Sequence, residues 1–483
     1  MEDSTEHRGD AVFALPRKPA AARLYGELPG WRTDLLERGI EVAADGAPEL
    51  AVASAERSRD ALASGAPNVI VDASRSAAGT LRRTGLRVRR LLPIPIHGSP
   101  ALYLNLDQRA AARYGIASRG TTTGQWRLVR DRLASAAAAS GILARAVPAV
   151  AVGTRSDGVP ALLHAASELG VPDRASWNMV VSPGSAMRRN AFLIFAPGSK
   201  VPDFALKFSR VPELTIQFER EERGVAVARA IGGSVASAAP TYMGRVEVQG
   251  HHGALESAAR GVRLATLLRG PAEVETKLRA VEQMVAWLER VSRETASPPA
   301  TLSPERDRIA REVLPQYADQ VDAGFADQIP PIPSVFCHND PSEENVVLGS
   351  HGLTVLDWEW AQSHGLPLAD LVYFGTGVLR ILDGANREED RAPHFVELMQ
   401  GRAASSQRMF SWVARLSRAL EVPPEAVGPV VTLGVLEHGH ASRRERHRFE
   451  RATGAALAPA LAERTANAWL SAPGLGPAWE AWR

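Results

Sequence analysis

The chain has 483 residues and a net charge of +2, and 45% of its residues are hydrophobic. A single hydrophobic core rarely serves a chain of this length, so we expect two or three domains. The near-neutral charge gives no reason to expect a nucleic-acid partner, and no apolar run approaches the ~18 residues of a membrane span. Because the charged first residues lack a signal-peptide core and Cys337 is the only cysteine, a cytoplasmic protein without disulfides is expected.

Residues 1–150 are predicted to form an N-terminal α/β domain. The apolar runs 49–53 and 68–72 predict buried strands, with a helix between them at 57–64. The spacing of apolar residues over 125–140 predicts an amphipathic helix. No glycine-rich dinucleotide-binding pattern follows these strands, so an accessory role is the favoured interpretation. An enzymatic activity of its own, such as group transfer, is the alternative.

From residue 151 the pattern changes to short strands joined by polar loops. The runs 177–185 and 191–195 predict two strands with a polar loop between them. Backbone N–H groups in such a loop can cradle phosphate oxygens. The loop has only one central glycine, Gly184, so an ordinary hairpin fits the pattern equally well.

Lys207 is one of only four lysines among 56 basic residues. It lies in the predicted strand 204–209, where alternation places Leu206 and Phe208 on one face and Lys207 on the other. Since the chain otherwise uses arginine, the composition favours a specific role for this lysine over a solvated position on the strand.

Two adjacent stretches carry the residues best suited to chemistry. The first, 336–348, contains Asp340 and Asn345 in a polar loop between two apolar runs, and the second, 353–360, carries Asp357 at the end of a β-rich run. This strand–loop–strand–turn–strand order places the three side chains on neighbouring loops. Two carboxylates and an amide suit Mg²⁺, which takes few oxygen ligands from the protein. The alternative is a pair of buried acids in a turn region.

The pattern His-x-Asp-x4-Asn that ends at Asn345, followed by Leu-Asp-Trp-Glu around Asp357, resembles the aminoglycoside phosphotransferase and choline kinase-like family. The resemblance covers residues 172–483. It implies an α+β, two-lobed protein-kinase-like fold, with a five-stranded small lobe at 151–260 and a mainly helical large lobe at 261–483, preceded by the N-terminal α/β domain.

The resemblance also implies a role for each residue of the two stretches. Asp340 would be the catalytic residue that accepts the proton of the acceptor hydroxyl, and Asn345 and Asp357 would hold Mg²⁺. The implied reaction uses ATP and transfers its γ-phosphoryl group to a hydroxyl of a small molecule. A non-catalytic, nucleotide-binding kinase-like module that works with the N-terminal domain in a biosynthetic pathway is the alternative.

On the nucleotide side, the resemblance implies that Lys207 pairs with the ATP phosphates. Glu222 of the following helix would orient Lys207, with Glu219, one turn earlier, as the alternative. Gly184 and Ser185 of the hairpin loop would contact the phosphates.

The implied adenine contacts are the backbone groups of Ser257 and Ala258, at the hinge between the lobes. The sequence departs from the family at Glu343 and Glu344, where a small residue is common. These acids are expected either to favour a cationic acceptor or to point to solvent. The identity of the small-molecule acceptor and the oligomeric state stay open.

Overall fold

The computed structural model describes the whole chain except residues 1–7, 29, 75, 97–98, 118–135, 138–146, 157–158, 182–188, 211–214, 300–303, 323, 351, 455 and 472–483. The chain divides into two compact units, Met1–Phe218 with Thr241–Arg260 and Glu219–Pro240 with Gly261–Arg483. The predicted division after residue 260 coincides with the end of the first unit. The predicted division at 150 does not separate two units.

The first unit is built on a sheet that has twelve strands within the described residues. The strands are β1 (Ala21–Tyr25), β2 (Glu41–Val42), β3 (Leu50–Ala53), β4 (Asn68–Ser74), β5 (Arg87–Ile96), β6 (Ser99–Asn105), β7 (Ala149–Thr154), β8 (Ser176–Val180), β9 (Asn190–Phe195), β10 (Phe204–Phe208), β11 (Tyr242–Val248) and β12 (His251–Ser257). They lie in the order β11-β12-β10-β9-β8-β6-β5-β7-β4-β3-β1-β2. The helices of this unit are α1 (Trp31–Glu37), α2 (Ser58–Ala63), α3 (Ala77–Arg83), α4 (Arg109–Ala117) and α5 (Ala161–Ala166), with 3-10 helices at Arg8–Ala14 and Ser167–Leu169.

One end of this sheet is parallel. Strands β2, β1, β3 and β4 run in the same direction, with helices in the connections. All four residues of β3 are buried, which is typical of a parallel strand covered on both faces. The predicted strands at 49–53 and 68–72 and the helix between them are therefore confirmed. The predicted helix at 125–140 falls almost wholly outside the described residues.

The other end of the sheet is antiparallel. Strands β8, β9, β10, β12 and β11 are successive antiparallel neighbours, and they lie within the range predicted for the small lobe. They do not form a separate sheet, because β8 also pairs with β6. Strand β7 lies between β4 and β5, so the predicted boundary at residue 150 falls inside a central strand. Residues 1–150 and 151–260 therefore share one sheet.

A buried ion network fastens the N-terminal segment to the antiparallel end of this unit. Asp10 pairs with Arg38 at 2.6 Å and with Arg210 at 3.1 Å. The Arg210 Nε donates to Asn190 at 3.2 Å, and all four side chains are buried. Removing one partner of a buried ion pair leaves an uncompensated charge in the interior and costs about 3–5 kcal/mol. These contacts therefore hold together residues that are distant in the chain.

The second unit is mainly helical. Its helices are α6 (Ile216–Ile231, whose first three residues belong to the first unit), α7 (Gly233–Ala238), α8 (Leu264–Arg269), α9 (Val274–Thr295), α10 (Pro304–Glu312), α11 (Ala369–Leu382), α12 (Arg391–Met399), α13 (Ser406–Ala419), α14 (Pro424–Thr453) and α15 (Leu461–Leu470), with 3-10 helices at Leu314–Tyr317 and Phe325–Gln328. Its strands are β13 (Val262–Arg263), β14 (Val335–Cys337), β15 (Val346–Gly349), β16 (Gly352–Val355) and β17 (Gln362–Gly365). They form the small sheets β13-β15-β16 and β14-β17.

The strand-rich first unit and the helix-rich second unit confirm the expected α+β class. Within the described part of the chain, no single helix has the length and apolar character needed to cross a membrane, while α13 and α14 meet that requirement together as a pair bent by 112°.

Candidate active site

The candidate site is built around the loop that leaves strand β14 at Cys337. Asp370, in the first turn of α11, accepts hydrogen bonds from the backbone N–H groups of His338 at 2.6 Å and Asn339 at 2.8 Å. Burial raises the pKa of Asp370 to about 6, against the lowering effect of these two bonds. The His338 ring packs edge-on against Trp358 at 4.8 Å. His338 and Asp370 therefore brace the loop.

Asp340 lies at the centre of this loop, with both carboxylate oxygens in hydrogen bonds. The Tyr373 hydroxyl donates to Oδ1 at 2.9 Å, and the Asn345 Nδ2 donates to Oδ2 at 2.9 Å. Burial, opposed by the Tyr373 bond and assisted by the negative charges of Asp357 and Glu359, raises the pKa of Asp340 to about 8. Positive charge brought to this place would favour the ionised carboxylate.

The β15–β16 hairpin brings Asn345 and Asp357 to the same edge. Val346 pairs with Val355 across the hairpin, and the Leu356 N–H donates to the Asn345 carbonyl at 2.7 Å. Asn345 directly precedes β15 and Asp357 follows the end of β16 by two residues, so both lie at the open end of the hairpin. The register of this one hairpin explains why the two residues lie on neighbouring strand ends, as the sequence predicts.

The atoms available on these residues fit a hard cation. Because the Asn345 Nδ2 donates to Asp340, the Oδ1 of the same amide is the atom left to act as a ligand. Asp357 adds carboxylate oxygens. Since Mg²⁺ is usually held by one or two protein carboxylates, with water and phosphate completing its six ligands, this pair could hold Mg²⁺. The assignment of Asn345 and Asp357 as metal ligands stays a prediction.

Backbone strain is concentrated around the same place. Among the described residues, five that are not glycine have a positive φ, and three of them are Asn339 (64°), Asp357 (61°) and Leu368 (69°). Each such residue costs on the order of 1–3 kcal/mol, and strain of this kind clusters at functional sites. The concentration therefore supports a functional role for the loops that carry Asp340 and Asp357.

Helix α6 approaches the segment after Asp357 very closely. Glu221 is fully buried and accepts a hydrogen bond from the Trp358 N–H at 3.2 Å. Gly224, one turn on, permits this approach, because a Cβ atom there would lie 1.8 Å from the Trp358 carbonyl oxygen. The predicted acids Glu222 and Glu219 are both exposed. Sequence reasoning missed Glu221, although the glycine three residues later marks its face of the helix.

Lys207 forms an ion pair with a buried acid on the neighbouring strand. Its Nζ lies 3.0 Å from Glu256 Oε1, and both side chains are buried. Across the β10–β12 pair, Lys207 lies opposite Ala254 and Glu256 lies opposite Ala205, so the two long side chains are diagonal neighbours on one face. Within the first unit, Lys207 pairs with Glu256. The pairing of Lys207 with Glu222 stays a prediction.

The predicted adenine contacts already take part in the first unit's hydrogen bonds. The Ala258 N–H donates to the Asp203 carbonyl at 2.9 Å, and the Ser257 N–H donates to the carbonyl that precedes β11 at 2.8 Å. A nucleotide contact through these N–H groups would have to replace those bonds. The predicted phosphate contacts Gly184 and Ser185 lie outside the described residues.

The two acids that follow Asp340 in this loop, Glu343 and Glu344, are both paired with arginines. Glu343 is buried, and its Oε1 lies 3.3 Å from Arg380 and 3.3 Å from Arg269. Gly377 makes room for it, because a Cβ atom there would lie 2.6 Å from Glu343 Oε2. The expectation that Glu343 points to solvent is therefore wrong, because its carboxylate is buried and paired with two arginines. A preference for a cationic acceptor stays a prediction. Glu344 is exposed and pairs with Arg269.

Comparison with known proteins finds a family similarity over the part of the chain that contains this site. Residues 191–402 match the family model described as "Phosphotransferase enzyme family", labelled APH. The matched range contains Lys207, Asp340, Asn345 and Asp357. The resemblance expected from the two motifs is therefore confirmed as a family-model match over this range.

Solved structures that resemble the chain have low sequence identity to it and low TM-scores. A putative aminoglycoside phosphotransferase from Ralstonia eutropha is 12% identical, with a TM-score of 0.40 over 65% of this chain and 94% of that one. A Plasmodium vivax ethanolamine kinase is 10% identical, with a TM-score of 0.36 over 67% and 88%. An aminoglycoside phosphotransferase from Streptomyces rimosus is 18% identical, with a TM-score of 0.31 over 56% and 96%. A search of curated proteins found no match.

Proposed function

We propose that the protein is an ATP-dependent phosphotransferase with a two-lobed, kinase-like fold, which transfers the γ-phosphoryl group of ATP to a hydroxyl of a small molecule. The observation that carries this proposal is the hydrogen bond of 2.9 Å from the Asn345 Nδ2 to the Asp340 carboxylate, in a loop inside the phosphotransferase family match. Lys207 and Asp357 lie within the same match and add the remaining charges that phosphoryl transfer needs.

Asp340 is the proposed proton acceptor. As the acceptor oxygen bonds to the γ-phosphorus and the bond from that phosphorus to the β-phosphate oxygen breaks, the hydroxyl proton passes to an Asp340 carboxylate oxygen and ADP leaves. A positioned base contributes on the order of 10²–10⁴-fold to the rate. Positioning and charge neutralisation must supply the rest, because phosphoryl transfer offers the protein little covalent chemistry.

The remaining residues are proposed to hold the nucleotide and its metal. Mg²⁺, when bound, neutralises charge on the phosphates, and Asn345 and Asp357 are the residues that would hold it. Lys207 is proposed to pair with phosphate oxygens, with Glu256 keeping its ammonium group in place. The backbone at Ser257 and Ala258 is proposed to lie beside adenine.

The test is ADP release from MgATP, measured with water and with a panel of small hydroxylated acceptors. The wild type is compared with Asp340→Asn, which keeps the shape of the side chain but removes its basicity. Asp107→Asn is the matched control, because Asp107, in the turn after β6, pairs with Arg90 of β5, and both are remote in sequence from the catalytic loop.

The proposal predicts turnover in the wild type and in Asp107→Asn, with Asp340→Asn reduced to the background rate. Equal rates in the wild type and Asp340→Asn would rule out the proposed catalysis. If MgATP nevertheless raised the melting temperature of both, the alternative of a non-catalytic nucleotide-binding module would replace it.

A further inference from the structure

Helix α11 presents one stripe of residues to the catalytic loop. Asp370 accepts the two backbone N–H bonds at the start of the loop, Tyr373 bonds to the side chain at its centre, and Arg380 pairs with Glu343 near its end, beside Gly377. Spacings of three, seven and ten residues from Asp370 place these positions on one face of a helix. The helix therefore contacts the loop at successive points along its length.

The contact at the centre of this stripe reaches the proposed base itself. The Tyr373 hydroxyl donates to Oδ1 of Asp340, while Asn345 donates to Oδ2. Rotation of the carboxylate about its bond to Cβ would break both hydrogen bonds. Each carboxylate oxygen has a second lone pair that can accept a hydrogen bond, so Asp340 stays able to accept a proton from a hydroxyl.

Tyr373 is in turn held by a second aromatic ring. Its ring stacks on His438 of α14, with 4.6 Å between ring centroids and 16° between ring planes. Burial lowers the pKa of His438 to about 4, so the imidazole is neutral near pH 7. Burial, with the negative charge of Asp340, raises the pKa of Tyr373 further above its usual value, so its hydroxyl keeps its proton and acts as a donor.

We propose that Tyr373 is a positioning residue for phosphoryl transfer, whose hydroxyl orients the Asp340 carboxylate toward the acceptor hydroxyl, and that His438 keeps the Tyr373 ring in place. This inference rests on the phosphotransferase function proposed above. Tyr373 retains its own proton throughout, while the proton of the acceptor passes to Asp340. Asn345 has the second task of offering its other amide atom to a cation, so Tyr373 is the contact dedicated to orienting the base.

Tyr373→Phe removes the hydroxyl and keeps the ring. Its steady-state kinetics are measured with MgATP and water as the acceptor, by phosphate release. We expect kcat to fall about tenfold or more, because a correctly placed base is worth on the order of 10²–10⁴-fold, while the KM for ATP stays within about twofold. The matched control is Tyr317→Phe, which loses a hydroxyl bond to the Leu436 carbonyl in the same unit and leaves kcat unchanged.

His438 provides a second pair of variants. His438→Phe keeps a ring in the stack and is expected to turn over ATP near the wild-type rate, whereas His438→Ala removes the stack and is expected to lower kcat as Tyr373→Phe does. If melting curves show that Tyr373→Phe is unfolded at the assay temperature, this pair decides the question.

A kcat for Tyr373→Phe within twofold of the wild type, with Asp340→Asn at background, would overturn the inference and leave the proposed function standing. A loss of kcat matched by an equal rise in the ATP KM would also overturn it, because the hydroxyl would then contribute to nucleotide binding and not only to the placement of Asp340. A wild-type rate no higher than that of Asp340→Asn would refute the proposed function and this inference together.

Discussion

Replacing Glu256 with glutamine removes the charge that lies 3.0 Å from the Lys207 ammonium. The pair is 2% and 8% exposed for Glu256 and Lys207 respectively, so water screens it little. Breaking a buried pair by removing one partner costs about 3–5 kcal/mol, because a charge is left in the interior. Glutamine retains an oxygen that can accept a hydrogen bond from Lys207, so we expect the lower end, about 3 kcal/mol of unfolding free energy.

The assay is urea unfolding at pH 7, followed by fluorescence of the buried tryptophans of the first unit. A double-mutant cycle with Lys207→Met isolates the pair, since removing both charges is expected to cost much less than removing one. Glu275→Gln is the control, because its partner Arg279 is exposed and such pairs contribute about 0.5 kcal/mol or less. A loss below about 1 kcal/mol for Glu256→Gln, with no coupling to Lys207→Met, would refute the reasoning.

Two further stability predictions concern His251 and Gly224. Burial, with Lys18 nearby, lowers the pKa of His251 to about 4 in the folded state, so the unfolded chain binds a proton first as pH falls. The contribution of His251 to the free energy of unfolding should be fully present above about pH 6.5 and decline toward pH 4, by up to about 3 kcal/mol. Urea unfolding of His251→Phe should show a shallower decline with falling pH. Equal slopes for the wild type and this variant would contradict the prediction. Gly224→Ala should lower the free energy of unfolding by about 1–3 kcal/mol or more, because its Cβ would clash with the Trp358 backbone. The control Gly79→Ala in α3, which has open space around it, should not destabilise the protein. Equal effects of the two substitutions would refute the close approach of Gly224 to Trp358.

The central residues of the site could be predicted because they are close in sequence. Asp340, Asn345 and Asp357 belong to one loop and one hairpin, so a short pattern of strand, loop and turn brings them together without knowledge of the rest of the chain. The family match contains all three, which confirms the resemblance but leaves their individual roles as predictions. The sequence pattern of this short segment was enough to group the three residues, because the loop and the hairpin alone determine where they lie.

The partners of these residues depend on register and helix phase, which a single sequence specifies weakly. Glu221 and Glu222 differ by 100° around α6, and both fit an apolar face defined by a few residues, so the buried acid could not be chosen from spacing alone. Tyr373 is 33 residues from Asp340 in sequence and meets it only because α11 begins beside the loop. Glu256 meets Lys207 only in the observed register of β10 and β12.

The boundary expected at residue 150 illustrates the same limit on a larger scale. The apolar run at this boundary forms strand β7. Its neighbours are β4 and β5, which precede it by many residues, and the sheet continues through β6 into β8. Antiparallel pairing at such distances leaves no local signal, so two consecutive patterns were interpreted as two domains.

The most direct test of the central claim is to follow the phosphoryl group itself. The wild type and Asp340→Asn are incubated with MgATP and a hydroxylated acceptor from the screen, and phosphorus NMR monitors the γ-phosphate signal. The account predicts a phosphate-ester signal that grows in step with ADP in the wild type and is absent in Asp340→Asn. ADP without any ester for every acceptor tested, or the same ester formed equally by Asp340→Asn, would contradict it.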